Sequence, residues 1–389
     1  MDLSRLYTFY APTRLVFGKD AVARTGEEIV ALGGHTALIV TDPGVIAAGL
    51  LEPVLLACAG SDVHTVIFDA VEPNPTASTV EAAIARYREA GCDCLIAVGG
   101  GSAMDAAKAA GIVIANGGAP RDYEGKPEAI AKDLPPFLCV PTTCGTGSEV
   151  TPFAVVTDTE RHWKMSLASP RAIPKVAVID PALFVKMPAP LIAATGMDAL
   201  THAIESYTNR DVEPFSDALD LHAIKLIGRY LRLAVAQAHP EAMAYMAVAA
   251  TMAGIGFSQN RLGIVHAISH PVTGYVGTPH GVANAILLPY VLEYNRIGCM
   301  ERLREIGEAL GEDLSGLSLP DAAGLAIEAV RRLARDVGIP ETLAEAGMRE
   351  EHIASVTDDA MKARVNIAIN PRRVNREQME GVIRAAMGE

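Results

Sequence analysis

The sequence predicts a chain of two characters, an α/β domain built on a parallel sheet over residues 1–184 and an all-α domain over 185–389. Three observations carry this expectation. Up to residue 180, short apolar β-rich runs ending in Gly, Pro or Asp alternate with stretches of helical period, the pattern of βαβ units. Beyond Asp180 the residues Pro181, Pro188 and Pro190 mark a connection, and long helical patterns follow with no convincing strand. At 389 residues, half of them hydrophobic, the chain is long enough for two cores.

Taken in order, strands are expected at 37–42, 63–69, 94–100, 137–141 and 175–180, with helices over 21–32, 45–57, 76–90 and 103–115. The helical half is read at 214–236, 241–260, 321–337 and 376–387. In an open parallel sheet, ligands collect at the carboxyl ends of the strands. There Gly99, Gly100, Gly101 and Ser102 follow the strand at 94–100 and open a helix, so backbone N–H groups can face a phosphate, although a tight turn alone explains the same glycines. Asp42 ends the first strand, where a carboxylate accepts from a ribose and repels a 2′-phosphate, selecting NAD over NADP; the alternative is a simple turn at Asp42-Pro43-Gly44. Asp105 suits the helix dipole as a first-turn acid or the cofactor as a contact.

A second concentration of chemistry lies in the helical half. Asp198 and His202 stand four apart, on one face of a helix, and His266 and His270 repeat the spacing. His280 follows at the Thr278-Pro279 turn, and residues 262–292 contain no Lys, Arg, Asp or Glu. A charge-free apolar run carrying three imidazoles suits a dry metal pocket, while a lone Asp/His pair serves equally as a surface or capping interaction. Imidazoles together with a carboxylate suit Zn or Fe.

Composition sets limits. The net charge of −13 and a pI near 5.3 argue against a nucleic-acid partner. The N-terminal residues lack a signal-peptide pattern, so a cytoplasmic chain is expected, and the uncharged run 242–260 reads as a core helix rather than a membrane span. Six cysteines (58, 92, 94, 139, 144 and 299) form no CxxC pair and read as reduced packing residues.

The segments GMDALTHAIE, VHAISHPVTG, TPHGVANAILLPYVLEYN and PTTCGTGSEVT resemble the iron-dependent (group III) alcohol dehydrogenase family, over essentially the whole chain. The resemblance implies a dehydroquinate synthase-like fold, with a Rossmann-like NAD-binding domain followed by a helical metal-binding domain. It implies Fe(II), with Zn as the alternative, held by Asp198, His202, His266 and His280, and it places His270 near the nicotinamide and substrate, where a proton relay and a hydrogen-bonding role are both open. It further implies NAD contacts at Asn74, the 99–102 turn, Thr142, Thr143, Thr146, Thr151, Val155 and Lys164. Iron suits four protein ligands better than zinc, because it accepts five or six and leaves room for a substrate oxygen.

A divalent ion beside a nicotinamide points to hydride exchange with a small primary alcohol or aldehyde. Such ions lower the pKa of water from about 16 to roughly 7–9, at about 1.4 kcal/mol per unit. Phe153, Leu262, Val265 and Tyr275 are candidates for an apolar substrate pocket. Alternatives on the same fold are glycerol dehydrogenase-like polyol oxidation, a dehydroquinate synthase-like lyase, and a non-catalytic sensor. The lyase needs basic residues that 262–292 does not supply. The family forms homodimers or larger homo-oligomers, which is the expectation here.

Overall fold

The computed structural model describes residues 6–161 and 163–389, which divide into two compact units, Ala11–Lys186 and Met187–Glu389, the second taking in the segment up to Tyr10. That segment is tied by Tyr10, whose backbone N–H donates to Gln259 and whose carbonyl accepts from the same side chain, and by the Phe9 ring 5.5 Å from Phe215.

Among the described residues of the first unit, eight strands form: β1 (Arg14–Phe17), β2 (Thr36–Val40), β3 (His64–Phe68), β4 (Cys94–Gly99), β5 (Phe137–Pro141), β6 (Phe153–Asp158), β7 (Trp163–Ala168) and β8 (Val176–Ile179). Six make a parallel sheet ordered β1-β8-β5-β4-β2-β3, five of them the strands expected from the alternation of the sequence. Strand alternation divides the core: Leu38, Val40, Leu95 and Ala97 pack on one face, and Ala37, Ile39, Ile96 and Val98 on the other. The order in which successive strands are added reverses between β2 and β4, the switch point at which open α/β sheets bind ligands. Helices α1 (Ala77–Glu89) and α2 (Gly101–Asn116) flank these strands.

Three features depart from the sequence expectation. Edge strand β1 was not anticipated, because Leu15 and Phe17 are exposed and the run is only four residues. Nor was the antiparallel pair β6–β7, whose burial alternates through Ala154, Val156, Met165 and Leu167. The helix expected over 45–57 is instead two, Pro43–Ala47 and Glu52–Ala59, because Gly49 takes φ +66° and breaks it.

The second unit is helical. Helix α3 (Ala189–Thr208) is buried along most of its length and packs against α4 (Pro214–Gln237), α5 (Pro240–Asn260) and α7 (His280–Asn295), while α6 (Ile264–Val276) packs on α7. Two glycines permit this approach. A Cβ on Gly196 would stand 2.3 Å from the Leu231 side chain of α4, which packs into the space the glycine leaves, and one on Gly281 would stand 2.3 Å from the Ala194 carbonyl, so α3 meets α7 at backbone range. No helix among the described residues is long and apolar enough to cross a membrane.

Candidate metal centre and cofactor turn

The metal candidates converge through three helices of the second unit. Asp198 and His202 project from one face of α3, and α6 brings in His266, so that one ligand atom of each lies within 4.8 Å of the others, all three residues buried. His202 Nε2 stands 3.8 Å from Asp198 Oδ1, and the His202 and His266 rings stack at 4.9 Å. At the start of α7, set against α3 by Gly281, His280 Nε2 reaches 4.0 Å from Asp198 Oδ1 on the more open side, its side chain 29% exposed. His270 is exposed, with its ring 5.3 Å from that of His280, and lies outside the tight group.

The chemistry of the donor set fits a cation. Buried Asn284, one turn along α7 from His280, donates from Nδ2 to Asp198 Oδ1 at 2.7 Å, with the same nitrogen 3.1 Å from Nε2 of both His266 and His280. A single NH2 group thus faces acceptors that a divalent ion would satisfy together. Among the described residues, His202 Nδ1 and Asn284 Oδ1 are buried without a hydrogen-bond partner. Burial pushes the His266 imidazole down to about 3, so it stays neutral and available as a ligand at ordinary pH. Behind it, burial pushes the Glu205 carboxyl up to about 8, while backbone N–H groups draw it down, and a cation held at His266 would draw it further down, to the carboxylate.

In the first unit, Asp42, the Gly99–Ser102 turn and Thr142, Thr143 and Thr146 follow the ends of β2, β4 and β5, while Asn74 lies beyond β3 and Val155 and Lys164 lie on β6 and β7. The turn Gly99–Ser102 leads into α2, whose N-terminus has no side-chain cap. Cβ atoms on Gly100 and Gly101 would come 3.0 Å from Thr143 and 2.8 Å from Thr146, so the turn lies directly on that threonine loop, next to buried Thr142. The Asn74 N–H faces Ser102 Oγ at 3.4 Å, and Lys164 Nζ donates to Asn74 Oδ1 at 2.8 Å. Asp42 serves as the N-cap of the Pro43–Ala47 helix, Oδ1 accepting from Val45 N–H, while Oδ2 faces Gly99.

Other predicted contacts hold the frame. Asp105 accepts from Ser148 Oγ at 2.8 Å and from the Val155 N–H at 3.1 Å. Thr151 is buried, and both its oxygens accept from Lys108. Lys108 is fully buried, and its ammonium also donates to Ser148 Oγ and the Phe153 carbonyl. Burial lowers its pKa and raises that of Asp105, and their mutual attraction opposes both shifts. Lys108, Glu205 and Asn284 were all missed from sequence. Only Glu205 left a trace, at seven residues from Asp198 on the face that carries His202. Of the pocket candidates, Val265 is buried and Tyr275 donates to Asp359 at 2.8 Å.

A parallel-sheet unit with a phosphate-ready turn and a helical unit with a buried His/Asp cluster define the class of metal-dependent dinucleotide enzymes. The comparisons narrow this. The model for iron-containing alcohol dehydrogenase matches residues 12–181, and that for the C-terminal part of the Fe-containing family matches 192–387. The chain therefore belongs to the iron-containing alcohol dehydrogenase family. It is 41% identical to 1,3-propanediol dehydrogenase of Citrobacter freundii, covering 98% of this chain and 99% of that one. It is 40% identical to NAD-dependent methanol dehydrogenase of Bacillus methanolicus, over 97% and 99%. A solved structure of 1,3-propanediol oxidoreductase superposes with a TM-score of 0.96 at 42% identity, over 98% of this chain and all of that one.

Proposed function

We propose that the protein is an NAD(H)-linked alcohol dehydrogenase and aldehyde reductase acting on small, neutral primary alcohols and short diols, with Fe(II) as its metal and Zn(II) as a substitute. The observation that carries the reading is the buried convergence of Asp198, His202 and His266, with His280 at its open side. These four residues hold the ion. When bound, the ion supplies Lewis acidity toward a hydroxyl or carbonyl oxygen, and the nicotinamide supplies or accepts the hydride. Residues 1–184 bind NAD and residues 185–389 bind the metal. The α2 N-terminus and the Gly99–Ser102 amides hold the pyrophosphate, Thr142, Thr143 and Thr146 line the cofactor with Asn74, Val155 and Lys164, and Asp42 accepts from the adenosine ribose. Asp105 and Thr151 act beneath the cofactor by fixing the loop that carries these contacts.

His270, exposed beside His280, carries the proton between the reacting oxygen and solvent, a task suited to an imidazole near neutrality. The absence of Lys and Arg over 262–292 favours an uncharged substrate. The relatives named for 1,3-propanediol and methanol support the same class. The enzyme works in the cytoplasm as a homodimer or larger homo-oligomer. A panel of short alcohols, diols and aldehydes, followed at the nicotinamide absorbance band on metal-reconstituted protein, tests the reading. Turnover with neutral primary alcohols supports it, and a protein that binds metal and NAD yet oxidises none of them overturns it.

A further inference from the structure

Helix α6, which carries His266, begins against a carboxylate from another helix. Glu205 lies on α3, seven residues beyond Asp198 and three beyond His202, and is buried. Its Oε1 accepts the backbone N–H of Val265 at 2.6 Å, one of the N–H groups at the α6 N-terminus that have no partner within the helix. Its Oε2 lies 2.6 Å from His266 Nδ1. Gly263 makes this approach possible, since a Cβ there would stand 2.8 Å from Oε1. One carboxylate therefore fixes both the helix end and the ring that the helix carries.

We propose that Glu205 is the positioning residue of the metal centre: by accepting from His266 Nδ1 it holds the imidazole in the tautomer whose Nε2 lone pair faces Asp198, His202 and His280. This inference rests on the metal reading above. An imidazole has one proton to place when neutral, and a carboxylate at Nδ1 decides where it goes. With the proton on Nδ1, Nε2 is an acceptor, and it is Nε2 that stands 3.1 Å from Asn284 Nδ2 among the converging ligand atoms. The carboxylate also raises the basicity of the ring as a ligand and restrains its rotation.

Glu205→Gln separates this role from packing. A carboxamide has nearly the same shape but a single oxygen. If that oxygen keeps the Val265 N–H, the NH2 turns toward His266 Nδ1, which must then accept, and the ring proton moves to Nε2, the atom the cluster uses. The experiment titrates wild-type and Glu205→Gln protein with Co(II), reading its d–d absorption, and compares the Tm of both metal-free proteins. The expected result is a loss of about tenfold to a hundredfold in Co(II) affinity, with an altered absorption envelope and a metal-free Tm close to wild type. Equal affinities and identical spectra overturn the proposal. A fall in Tm with unchanged Co(II) affinity also overturns it, since that is a purely structural role. If wild-type protein takes up no Co(II), the metal reading itself fails, which is a separate outcome. Should the Gln variant not fold, Zn(II)-loaded wild-type protein labelled with 15N-histidine decides: a far-downfield, slowly exchanging ring proton supports the Nδ1–H···Glu205 bond, and its absence overturns it.

Discussion

Asn284 Nδ2 lies 2.7 Å from Asp198 Oδ1 and reaches the imidazoles of His266 and His280 from the same position, so one amide stands at the focus of the ligand atoms. Asn284→Ala removes the donor and leaves the buried Asp198 oxygen without it in the metal-free protein, at a cost of about 1–3 kcal/mol. An ion relieves the same oxygen. The metal-free Tm should therefore fall by several degrees while the metal-loaded Tm falls less, as differential scanning calorimetry on both forms would show. Equal losses would mean that Asn284 acts only by packing.

Asp42→Gly tests cofactor choice. The carboxylate that caps the Pro43–Ala47 helix also faces Gly99 at the Gly99–Ser102 turn. Glycine retains most of an N-cap's value, within a few tenths of a kcal/mol, so the change is mainly electrostatic. Removing a repulsion of roughly 1–3 kcal/mol, as two charges about 4 Å apart give at an intermediate dielectric after solvent relaxation, should raise the NADP(H) specificity constant by about tenfold to a hundredfold. Steady-state kinetics with both cofactors measure this. A wild-type chain that already uses NADPH as well as NADH would reduce Asp42 to its capping role.

Lys108→Met should show what the buried ammonium holds in place. Four acceptor contacts and the attraction to Asp105 are lost together, on the order of 3 kcal/mol or more. A Tm lower by roughly 10 °C follows for a unit of this size. NAD(H) should bind more weakly, because the Ser148–Phe153 segment that Lys108 ties runs into the β6–β7 pair carrying Lys164. Fluorescence titration with NADH checks that, and unchanged affinity would confine Lys108 to stability.

How far these sites were legible from sequence follows the range of the interactions. Strand ends and the Gly99–Ser102 turn announce themselves through local chemistry, and the histidines through i,i+4 spacing and a charge-free surround. Lys108 could not be read in this way, since its partners Ser148, Thr151 and Phe153 lie forty or more residues away and a lysine in a helix ordinarily signals solvent. Asn284 looks like one polar residue in an apolar helix until α3 and α6 are packed against it. The break at Gly49 and the short β1 edge escaped because a strong apolar pattern runs through the first and exposed apolar residues mask the second.

Asp220 makes stability depend on pH. It is fully buried on α4, Oδ2 accepting from Ser206 Oγ at 2.5 Å, and burial holds its carboxyl well above the usual range. The folded chain thus keeps a proton that the unfolded chain releases near pH 4, so the stabilisation is complete below that pH and is lost as pH rises through the folded value. Between about pH 5 and pH 9, Asp220→Asn, which cannot ionise, should show a flatter Tm-versus-pH curve than wild type. Parallel curves would mean that Asp220 is ionised in the folded protein.

The most direct measurement of the central claim follows metal content and alcohol oxidation on the same samples: wild type as purified, after chelator treatment, and after Fe(II) or Zn(II) is restored, alongside His280→Ala. NADH production should follow bound metal, fall at least tenfold on stripping and return with the ion, while His280→Ala loses metal and turnover together. Full oxidation by metal-free protein would contradict the account.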